Sequence, residues 1–350
     1  MGASPNAGKV QTVLDLVEPS ALGITMTHEH LLADLRAYFR EPEEPGEQRR
    51  VYQPVTLENL GWIRQNWRNS WPNLVLDDEE LAVQEATYYR HAGGGTMVDL
   101  TNNGLGRDPT ALARMSRATG LHIVMGSGYY VARSHPPGFG QRTEEQINEE
   151  IVRDCTEGVG TTGIKAGIIG EIGISWPIVE SERLSLAAAV EAQRRTGAAL
   201  SIHVGAHPDS PSQVMGVLQR KRADLSRTIL CHIDRTLEER SALRELAQSG
   251  ATLEFDVFGL EVSYLPGNYL PMPSDAQRLQ KLEWLIEDGF LNQIVVSQDV
   301  ATKTRLVRYG GTGYAHILRY VVPWMRDRGF TQEHIDALLV ENPRSLLSLV

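Results

Sequence analysis

Eight short runs of β-branched or apolar residues recur along this chain, and helix-length amphipathic segments separate them. The runs cover residues 22–27, 96–100, 121–125, 164–169, 199–202, 228–230, 252–255 and 294–296. Two of the helical patterns, over residues 184–196 and 237–249, end directly before Gly197 and Gly250, as helices commonly do. This alternation predicts an α/β protein with a single (β/α)8 TIM barrel over residues 1–350.

A doubly wound open sheet is the alternative, because it is built from the same strand–helix–strand units. Its dinucleotide-binding fingerprint, Gly-x-Gly-x-x-Gly after the first strand, is missing, since Thr-His-Glu-His stands there at residues 27–30. A length of 350 residues fits one large domain or two, but no shift in composition marks a second domain. The barrel is therefore the favoured architecture.

One segment, residues 36–76, interrupts the alternation. It contains Glu-Pro-Glu-Glu-Pro-Gly-Glu, a helix-like stretch over residues 56–67 and three of the six tryptophans. An insertion after the first strand of a barrel lies over the mouth where barrel active sites are found. We predict a substrate lid here, with a packing or homodimer surface as the alternative.

The charge balance limits the partners. The chain carries 34 Lys+Arg against 44 Asp+Glu, a net charge of −10, which argues against a nucleic-acid partner. No segment approaches the roughly 18 consecutive apolar residues that a membrane span needs, and the first residues do not indicate a secretory signal. Two cysteines in a chain of this size indicate a reducing compartment. We expect a cytoplasmic protein without a membrane partner.

Metal-binding residue types follow the predicted strands. The first strand ends in His28-Glu29-His30, where a strand period of two projects both imidazoles to the same side. Later strands end in four more such residues: Glu171, His203, His232 and Asp299. Because the carboxyl ends of barrel strands meet at one mouth, four histidines and two carboxylates suffice there for two divalent ions, with Glu171 able to bridge them.

In these residues the chain resembles the phosphotriesterase-like branch of the amidohydrolase superfamily, and within it the phosphotriesterase-related proteins. The similarity spans nearly the whole chain. The matching pieces are Thr-Met-Thr-His-Glu-His (25–30), Gly-Ile-Ile-Gly-Glu-Ile-Gly (167–173), the strand-end His203 and His232, Val-Ser-Gln-Asp (296–299), Tyr-Gly-Gly-Thr-Gly-Tyr (309–314) and Glu-Asn-Pro-Arg (341–344). The resemblance implies a binuclear metal-dependent hydrolase on a (β/α)8 barrel.

The family pattern also implies a role for each candidate ligand. One ion is held by His28, His30 and Asp299, the other by His203 and His232, and a side chain of the fourth strand bridges them. In phosphotriesterases proper that bridge is a carboxylated lysine. Here the only nearby lysine, Lys165, lies before the expected place, whereas Glu171 stands where phosphotriesterase-related proteins have a bridging glutamate. We therefore assign the bridge to Glu171.

A second departure from phosphotriesterases proper concerns proton transfer. Those enzymes carry a relay of a His after strand seven and an Asp past the strand-six His, and the matching positions here are Val257 and Arg235. We therefore predict that a metal-bridging hydroxide attacks a carbonyl substrate, namely a carboxylic ester, lactone or amide. Asp299 is expected to take the proton and pass it to the leaving group. A phosphoester or phosphotriester hydrolase and a non-catalytic metal-containing ligand-binding protein are the alternatives.

The His-rich donor set favours Zn²⁺, with Mn²⁺ or Co²⁺ as alternatives. Further candidates for contacts to a small-molecule substrate are Tyr129, Tyr130, Lys303 and Tyr309. The first two follow the third strand, and in related lactonases a tyrosine from this region reaches toward the metals. The other two lie on the loop after the eighth strand, where a lysine could clamp an anionic group. Strand alternation predicts that Cys231, beside His232, points away from the mouth.

Overall fold

The computed structural model describes residues 6–262 and 269–350. Within them, eight parallel strands form one sheet in which neighbours in the sequence pair. In chain order the strands are β1 (Ile24–Glu29), β2 (Gly94–Asp99), β3 (His122–Ser127), β4 (Ile168–Gly173), β5 (Leu200–His203), β6 (Thr228–Cys231), β7 (Thr252–Phe255) and β8 (Ile294–Val296). A separate two-stranded ribbon pairs Val10–Gln11 with Leu16–Val17. Each predicted run of apolar residues corresponds to one barrel strand.

The first and last strands close the sheet into a barrel through a seam between β1 and β8. The Ser297 hydroxyl accepts a hydrogen bond from the His28 backbone N–H at 3.0 Å and donates one to the His28 carbonyl at 2.9 Å. The Asp299 backbone N–H donates to the same carbonyl at 3.1 Å. The strands thus form the predicted (β/α)8 barrel, in which all strand carboxyl ends face one mouth.

Helices cover the outside of the barrel. The principal ones are α1 (Glu79–His91), α2 (Pro109–Thr119), α3 (Glu144–Thr156), α4 (Glu180–Thr196), α5 (Ser210–Lys221), α6 (Arg240–Ala247), α7 (Asp275–Glu287) and α8 (Val322–Asp327). Shorter helices cover Ile233–Thr236, Gln332–Asp336 and Asn342–Leu347, and π-helical turns cover Ile317–Val321 and Ala337–Glu341. Among the described residues, no helix combines the length and apolar character that crossing a membrane requires.

Apolar side chains fill two layers of core. One layer lies inside the barrel and includes Leu22, Val98, Val124, Ile168, Ile229 and Val295. The other lies between the strands and the helices and includes Met97, Ile123, Ile169, Leu230 and Leu282. Each such buried aliphatic side chain contributes about 1.5–3 kcal/mol relative to an exposed one. Because the eight strands are parallel, the polar residues at their carboxyl ends come together at the mouth.

Several predicted boundaries are wrong, among them the start of α4, which is Glu180 rather than residue 184. β4 begins at residue 168 rather than 164, because Ile164 makes its backbone hydrogen bond within the preceding loop. Lys165 therefore precedes the strand, and Glu171 lies inside it rather than at its end. α6 begins at Arg240 rather than at residue 237, because Ile233–Thr236 form a separate helical turn.

The predicted insertion leaves and rejoins the barrel at one point. Ala33–Asp34 and Val75–Leu76 pair as an antiparallel ribbon that closes its base. Between them lie the helices Pro45–Gln48 and Leu57–Gln65. The Arg64 side chain donates to the Gly310 carbonyl, on the loop after β8, at 2.6 Å. The segment therefore packs on the mouth side of the barrel, and its action as a lid remains a prediction.

Candidate metal centre

The six side chains predicted as metal ligands meet at the carboxyl ends of the strands. β1 and the residue after it carry His28 and His30, β4 carries Glu171, β5 carries His203, and the segments after β6 and β8 carry His232 and Asp299. Asp299 is the most exposed of the six, with 22 % of its side chain accessible. The cluster therefore opens toward solvent on the side of this aspartate.

Glu171 lies at the centre of the cluster. Its Oε2 atom lies 3.5 Å from His28 Nε2, 3.2 Å from His203 Nδ1 and 3.6 Å from His232 Nε2. Its Oε1 atom lies 3.4 Å from His30 Nε2. One carboxylate thus faces both pairs of histidines, as a bridging ligand must.

One set of donor atoms is spaced as it would be around a metal ion. Asp299 Oδ1 lies 3.3 Å from His30 Nε2 and 3.8 Å from His28 Nε2. A tetrahedral ion with bonds of about 2.1 Å separates its donor atoms by about 3.4 Å. On the other side of Glu171, His232 Nε2 and His203 Nδ1 lie 2.7 Å apart. The first set is close to the spacing of a tetrahedral site, whereas the two nitrogens of the second set lie at hydrogen-bond distance from each other, so these rings have to move apart to hold an ion together.

The electrostatics of the cluster also suit cations. His28 is fully buried, and neither of its ring nitrogens makes a hydrogen bond of acceptable geometry within the described residues. Although burial opposes the charged form, Asp299 and Glu171 raise the pKa of His30 to about 10. The negative potential that holds a proton on this imidazole also attracts a divalent cation in its place. The residues therefore fit a pair of metal ions.

Asp256, directly after β7, contacts one histidine from each half of the cluster, where one half contains His28 and the other contains His232. Its Oδ1 lies 2.7 Å from His232 Nδ1, and its Oδ2 lies 3.0 Å from His28 Nδ1. Although burial opposes ionisation, His232 and His28 hold the pKa of Asp256 far below its ordinary value, so this carboxyl is ionised. A carboxylate on the second nitrogen of a metal-binding histidine fixes the tautomer and the ring orientation. Asp256 does so for His232 through a hydrogen bond, and it places a negatively charged oxygen beside His28.

The Asp256→Asn variant is expected to bind metal about 10- to 100-fold more weakly than the wild type, because the amide has no negative charge to place beside the imidazoles of His232 and His28. Competition with a chromogenic chelator measures the affinity, and circular dichroism checks that the fold is kept. An unchanged metal affinity in a folded variant would contradict the orienting role.

His232 reaches the site because the backbone turns sharply after β6. Cys231 points into the barrel, where its Sγ donates to Glu254 Oε2 at 3.1 Å and lies in one cluster with His28 and Asp256, so the prediction that strand alternation turns it away from the site is wrong. His232 itself has a φ of 61°, a left-handed conformation that is uncommon for any residue but glycine. This turn directs the side chain that follows Cys231 to the mouth, which strict alternation would not do.

Glu29, between the two histidines of β1, holds the loop that carries Asp299. Its Oε1 lies 2.9 Å from the Ser297 hydroxyl oxygen and accepts a hydrogen bond from the Gln298 N–H at 3.0 Å, and its Oε2 accepts one from the Val300 N–H at 3.0 Å. Burial raises the pKa of Glu29 to about 7, although these hydrogen bonds oppose the rise. Sequence reasoning placed Glu29 on the face opposite the histidines but did not identify this function.

The two tyrosines after β3 have different surroundings. The Tyr130 hydroxyl lies 3.1 Å from His203 Nδ1 and accepts a hydrogen bond from the Tyr38 hydroxyl at 3.0 Å. The Tyr129 hydroxyl instead donates to Glu150 of α3 at 2.7 Å. Successive residues point in opposite directions, so the predicted substrate contact of Tyr129 is not supported and that of Tyr130 stays a prediction.

The other two predicted substrate contacts lie between the barrel and the insertion. The Lys303 ammonium lies 3.3 Å from Asp77 Oδ1. Tyr309 packs against the apolar cluster that contains Leu60 and Ile63 of the insertion helix. Both residues face the inserted segment, and their contacts to substrate stay predictions.

Sequence reasoning missed the aromatic residues of the insertion that reach the site. The Tyr38 ring lies 6.0 Å from the Tyr130 ring and 5.7 Å from the Trp67 ring, centroid to centroid. We refer to Tyr38, Trp67 and Tyr130 as the aromatic roof. The tryptophan content of the segment was a signal for such packing, but nothing in the sequence distinguishes the aromatic residues that face the metal centre from those that do not.

Known proteins resemble this chain over its whole length. The sequence profile of the Phosphotriesterase family matches residues 8–347. A protein from Homo sapiens named N-acetyltaurine hydrolase is 42% identical over 344 residues, and one of the same name from Salmo salar is 41% identical over 344 residues. Each alignment covers 98% of this chain and 98% of the relative. The crystal structure of a resiniferatoxin-binding protein from Rhodobacter sphaeroides is 36% identical, with a TM-score of 0.95, over 99% of this chain and 97% of that chain.

Proposed function

The chain belongs to the Phosphotriesterase family and is a metal-dependent hydrolase, and from this premise we propose that it hydrolyses an N-acyl amide whose amine carries an acidic group. The observation that carries the proposal is the similarity to N-acetyltaurine hydrolases over 98% of the chain. Among the carbonyl substrates that the sequence favours, this similarity supports the amide. A sulfonate or a carboxylate is the acidic group that we propose.

Two divalent cations, which we propose to be Zn²⁺, would be held by the six side chains of the metal centre. His28, His30 and Asp299 would hold one, His203 and His232 the other, and Glu171 both. When bound, such ions supply a hydroxide nucleophile at neutral pH and polarise the scissile carbonyl. The shared contacts of the Glu171 carboxylate support the paired arrangement.

Asp299 is the residue placed to manage the proton. An amide nitrogen is a poor leaving group unless it is protonated as the C–N bond breaks. Asp299 combines contact with His30 at 3.3 Å with partial exposure at the mouth, so it can accept the proton of the nucleophile and deliver it to the departing nitrogen. Interactions with His30 and His28 hold its pKa below the ordinary value although burial opposes this, so Asp299 starts the cycle as a base.

The surroundings of Asp299 disfavour phosphotriester chemistry. Where phosphotriesterases proper carry a histidine of the proton relay, this chain has Val257, which is buried and cannot transfer a proton. Where they carry the relay aspartate, it has Arg235, whose positive charge, after burial and the neighbouring His232, helps to lower the pKa of His203 to about 4. A proton from Asp299 therefore leaves with the product rather than along a relay.

A side-by-side kinetic panel with the Zn²⁺ enzyme tests the proposal. The panel contains N-acetyltaurine, N-acetyl-β-alanine, simple lactones and esters, and an aryl phosphotriester. We expect kcat/KM for one of the acidic amides to exceed that for the phosphotriester by at least about 10²-fold, about 2.7 kcal/mol in activation free energy. A panel led by the phosphotriester would refute the proposal. A metal-replete enzyme without activity on any member would instead favour the ligand-binding alternative.

A further inference from the structure

Two arginines lie beside the aromatic roof, one on the insertion and one on the loop after β3. Arg68, in the turn Trp67–Asn69 of the insertion, has its Cζ 5.3 Å from the centre of the Tyr38 ring and 4.8 Å from that of Trp67. Arg133, in the turn Ala132–Ser134 after β3, has its Cζ 4.8 Å from the same Tyr38 ring. One tyrosine ring thus holds two guanidinium groups, which come from segments far apart in the sequence.

Neither guanidinium has a counter-ion in residues 6–262 and 269–350. No carboxylate there lies within ion-pair distance of either group, and neither side chain forms a hydrogen bond to those residues. Arg68 Nε and the adjacent Trp67 Nε1 are buried and without a hydrogen-bond partner in the same ranges. Burial together with the nearby Arg40 and Arg133 lowers the pKa of Arg68. A half-buried cation beside like charges is unfavourable unless an anion completes the site.

Two other cations near the insertion, Arg36 and Lys303, differ in this respect. Arg36 forms hydrogen bonds to both carboxylate oxygens of Asp34. The Lys303 ammonium faces Asp77. Their charges are already compensated by the protein, so an incoming anion gains less from them than from Arg68 and Arg133.

The arginine pair is connected to the metal centre through the aromatic roof. The Tyr38 hydroxyl donates to the Tyr130 hydroxyl at 3.0 Å, and the Tyr130 hydroxyl lies 3.1 Å from His203 Nδ1. A molecule whose acyl group lies at the metal centre and whose other end extends past Tyr130 would bring that end to Tyr38. The two guanidinium groups therefore lie one ring beyond Tyr130 as counted from His203.

We propose that Arg68 and Arg133 together bind the acidic group of the substrate at the outer end of the mouth. The planar, multidentate guanidinium is well suited to the oxygens of a sulfonate or a carboxylate. The pair selects acidic amides over neutral ones by binding, while the metal centre performs the cleavage. This inference rests on the proposed function, because it assigns a position to one end of the proposed substrate.

The test compares an acidic amide with a neutral one. For the double variant Arg68→Met/Arg133→Met, whose methionines keep apolar packing on Tyr38, we expect KM for N-acetyltaurine to rise about 30- to 100-fold with little change in kcat. Activity on neutral N-acetylpropylamine should stay within about 2-fold of wild type. Arg68→Lys/Arg133→Lys should recover part of the lost selectivity, because it restores the charge without the planar group. Equal losses on both amides in a folded double variant would overturn the proposal.

Two further variants complete the design: a matched control at Arg50, and a change at Lys303, the other residue proposed to bind an anion. Arg50 also stacks on an insertion ring, with its Cζ 5.6 Å from the centre of Trp62, but it pairs with Glu47. Arg50→Met removes the same charge and should leave the ratio of the two kcat/KM values unchanged. If Lys303→Ala abolishes the selectivity and the double variant does not, the anion binds elsewhere and the proposal is wrong.

Failure of the proposed function can be distinguished from failure of this inference. If the enzyme turns over a lactone or a phosphoester rather than an amide, the amide proposal has failed. The arginine pair is then tested with an acidic and a neutral member of the class that is turned over. Calorimetric titration with ethanesulfonate supplies a readout without turnover. Binding by the wild type that is lost in Arg68→Met/Arg133→Met supports the anion site, and equal binding by both contradicts it.

Discussion

Replacement of Glu171 by glutamine is expected to lower metal content from about two ions per chain to one or fewer and to reduce kcat/KM by at least about 10³-fold, about 4 kcal/mol. The side chain is almost fully buried, and its carboxylate lies within 3.6 Å of nitrogens from four histidines. Glutamine keeps the shape but loses the negative charge and one acceptor oxygen. It cannot compensate two cations at once. Elemental analysis of the reconstituted variant, together with steady-state kinetics, checks the result.

Lys165 provides the matched control for Glu171. It is the only lysine near β4, and it precedes that strand instead of lying at its mouth end. Lys165→Ala should therefore keep both ions and most of the activity. If activity depended on added bicarbonate and vanished in Lys165→Ala, a carboxylated lysine would be the bridge and the assignment to Glu171 would be wrong.

Replacement of Asp299 by asparagine is expected to reduce kcat for an alkyl amide by at least about 10³-fold while KM changes little. Asparagine retains an oxygen that can contact a cation, but it cannot accept a proton and return it to the leaving nitrogen. The loss should be smaller for an activated anilide, whose nitrogen departs with less need for protonation. Comparison of kcat for the two substrates in wild type and variant measures this difference.

The contrary outcome for Asp299 is equally specific. An asparagine variant that loses the same factor on the alkyl amide and on the anilide would show that Asp299 acts through the metal centre alone. Metal analysis of the variant accompanies the kinetics, because a loss of ions would lower both rates together. Only an unequal loss with full metal content supports proton delivery.

Much of the fold was predictable because two periodicities dominate the sequence. Buried parallel strands need continuous apolar runs, and the covering helices need amphipathic segments, so the alternation itself indicated the barrel. The start of β4 is predicted too early because Ile164 and Ala166 extend the apolar pattern of the strand toward the N-terminus. Hydrogen bonding to the preceding loop, which periodicity does not report, decides where the strand begins.

The candidate ligands were predictable for a similar reason. A histidine or carboxylate at the end of an apolar run has few stable environments other than a shared cation site. The residues that support the ligands were harder to find. Glu29 and Asp256 act through hydrogen bonds to segments distant in sequence, and the left-handed turn at His232 breaks the alternation on which sequence reasoning depends.

The contacts around the aromatic roof were beyond sequence reasoning. Arg68 and Arg133 lie in loops without periodicity, and an isolated loop arginine is ordinarily a solvated surface residue. Their importance is visible only once Tyr38 is placed between them. Loop conformation, which depends on packing between the insertion and the barrel, supplies that information.

The seam between β1 and β8 has a consequence for how the protein folds. His28 and Ser297 are 269 positions apart in the sequence, so their contact closes one of the largest loops in the chain. Such long-range closure is entropically costly and follows the formation of local strand–helix units. One proposed ligand set combines His28 and His30, from the first strand of the barrel, with Asp299, which follows the last strand. A metal ion bound there joins the two ends of the chain, so ion affinity and the cooperativity of unfolding are thermodynamically coupled.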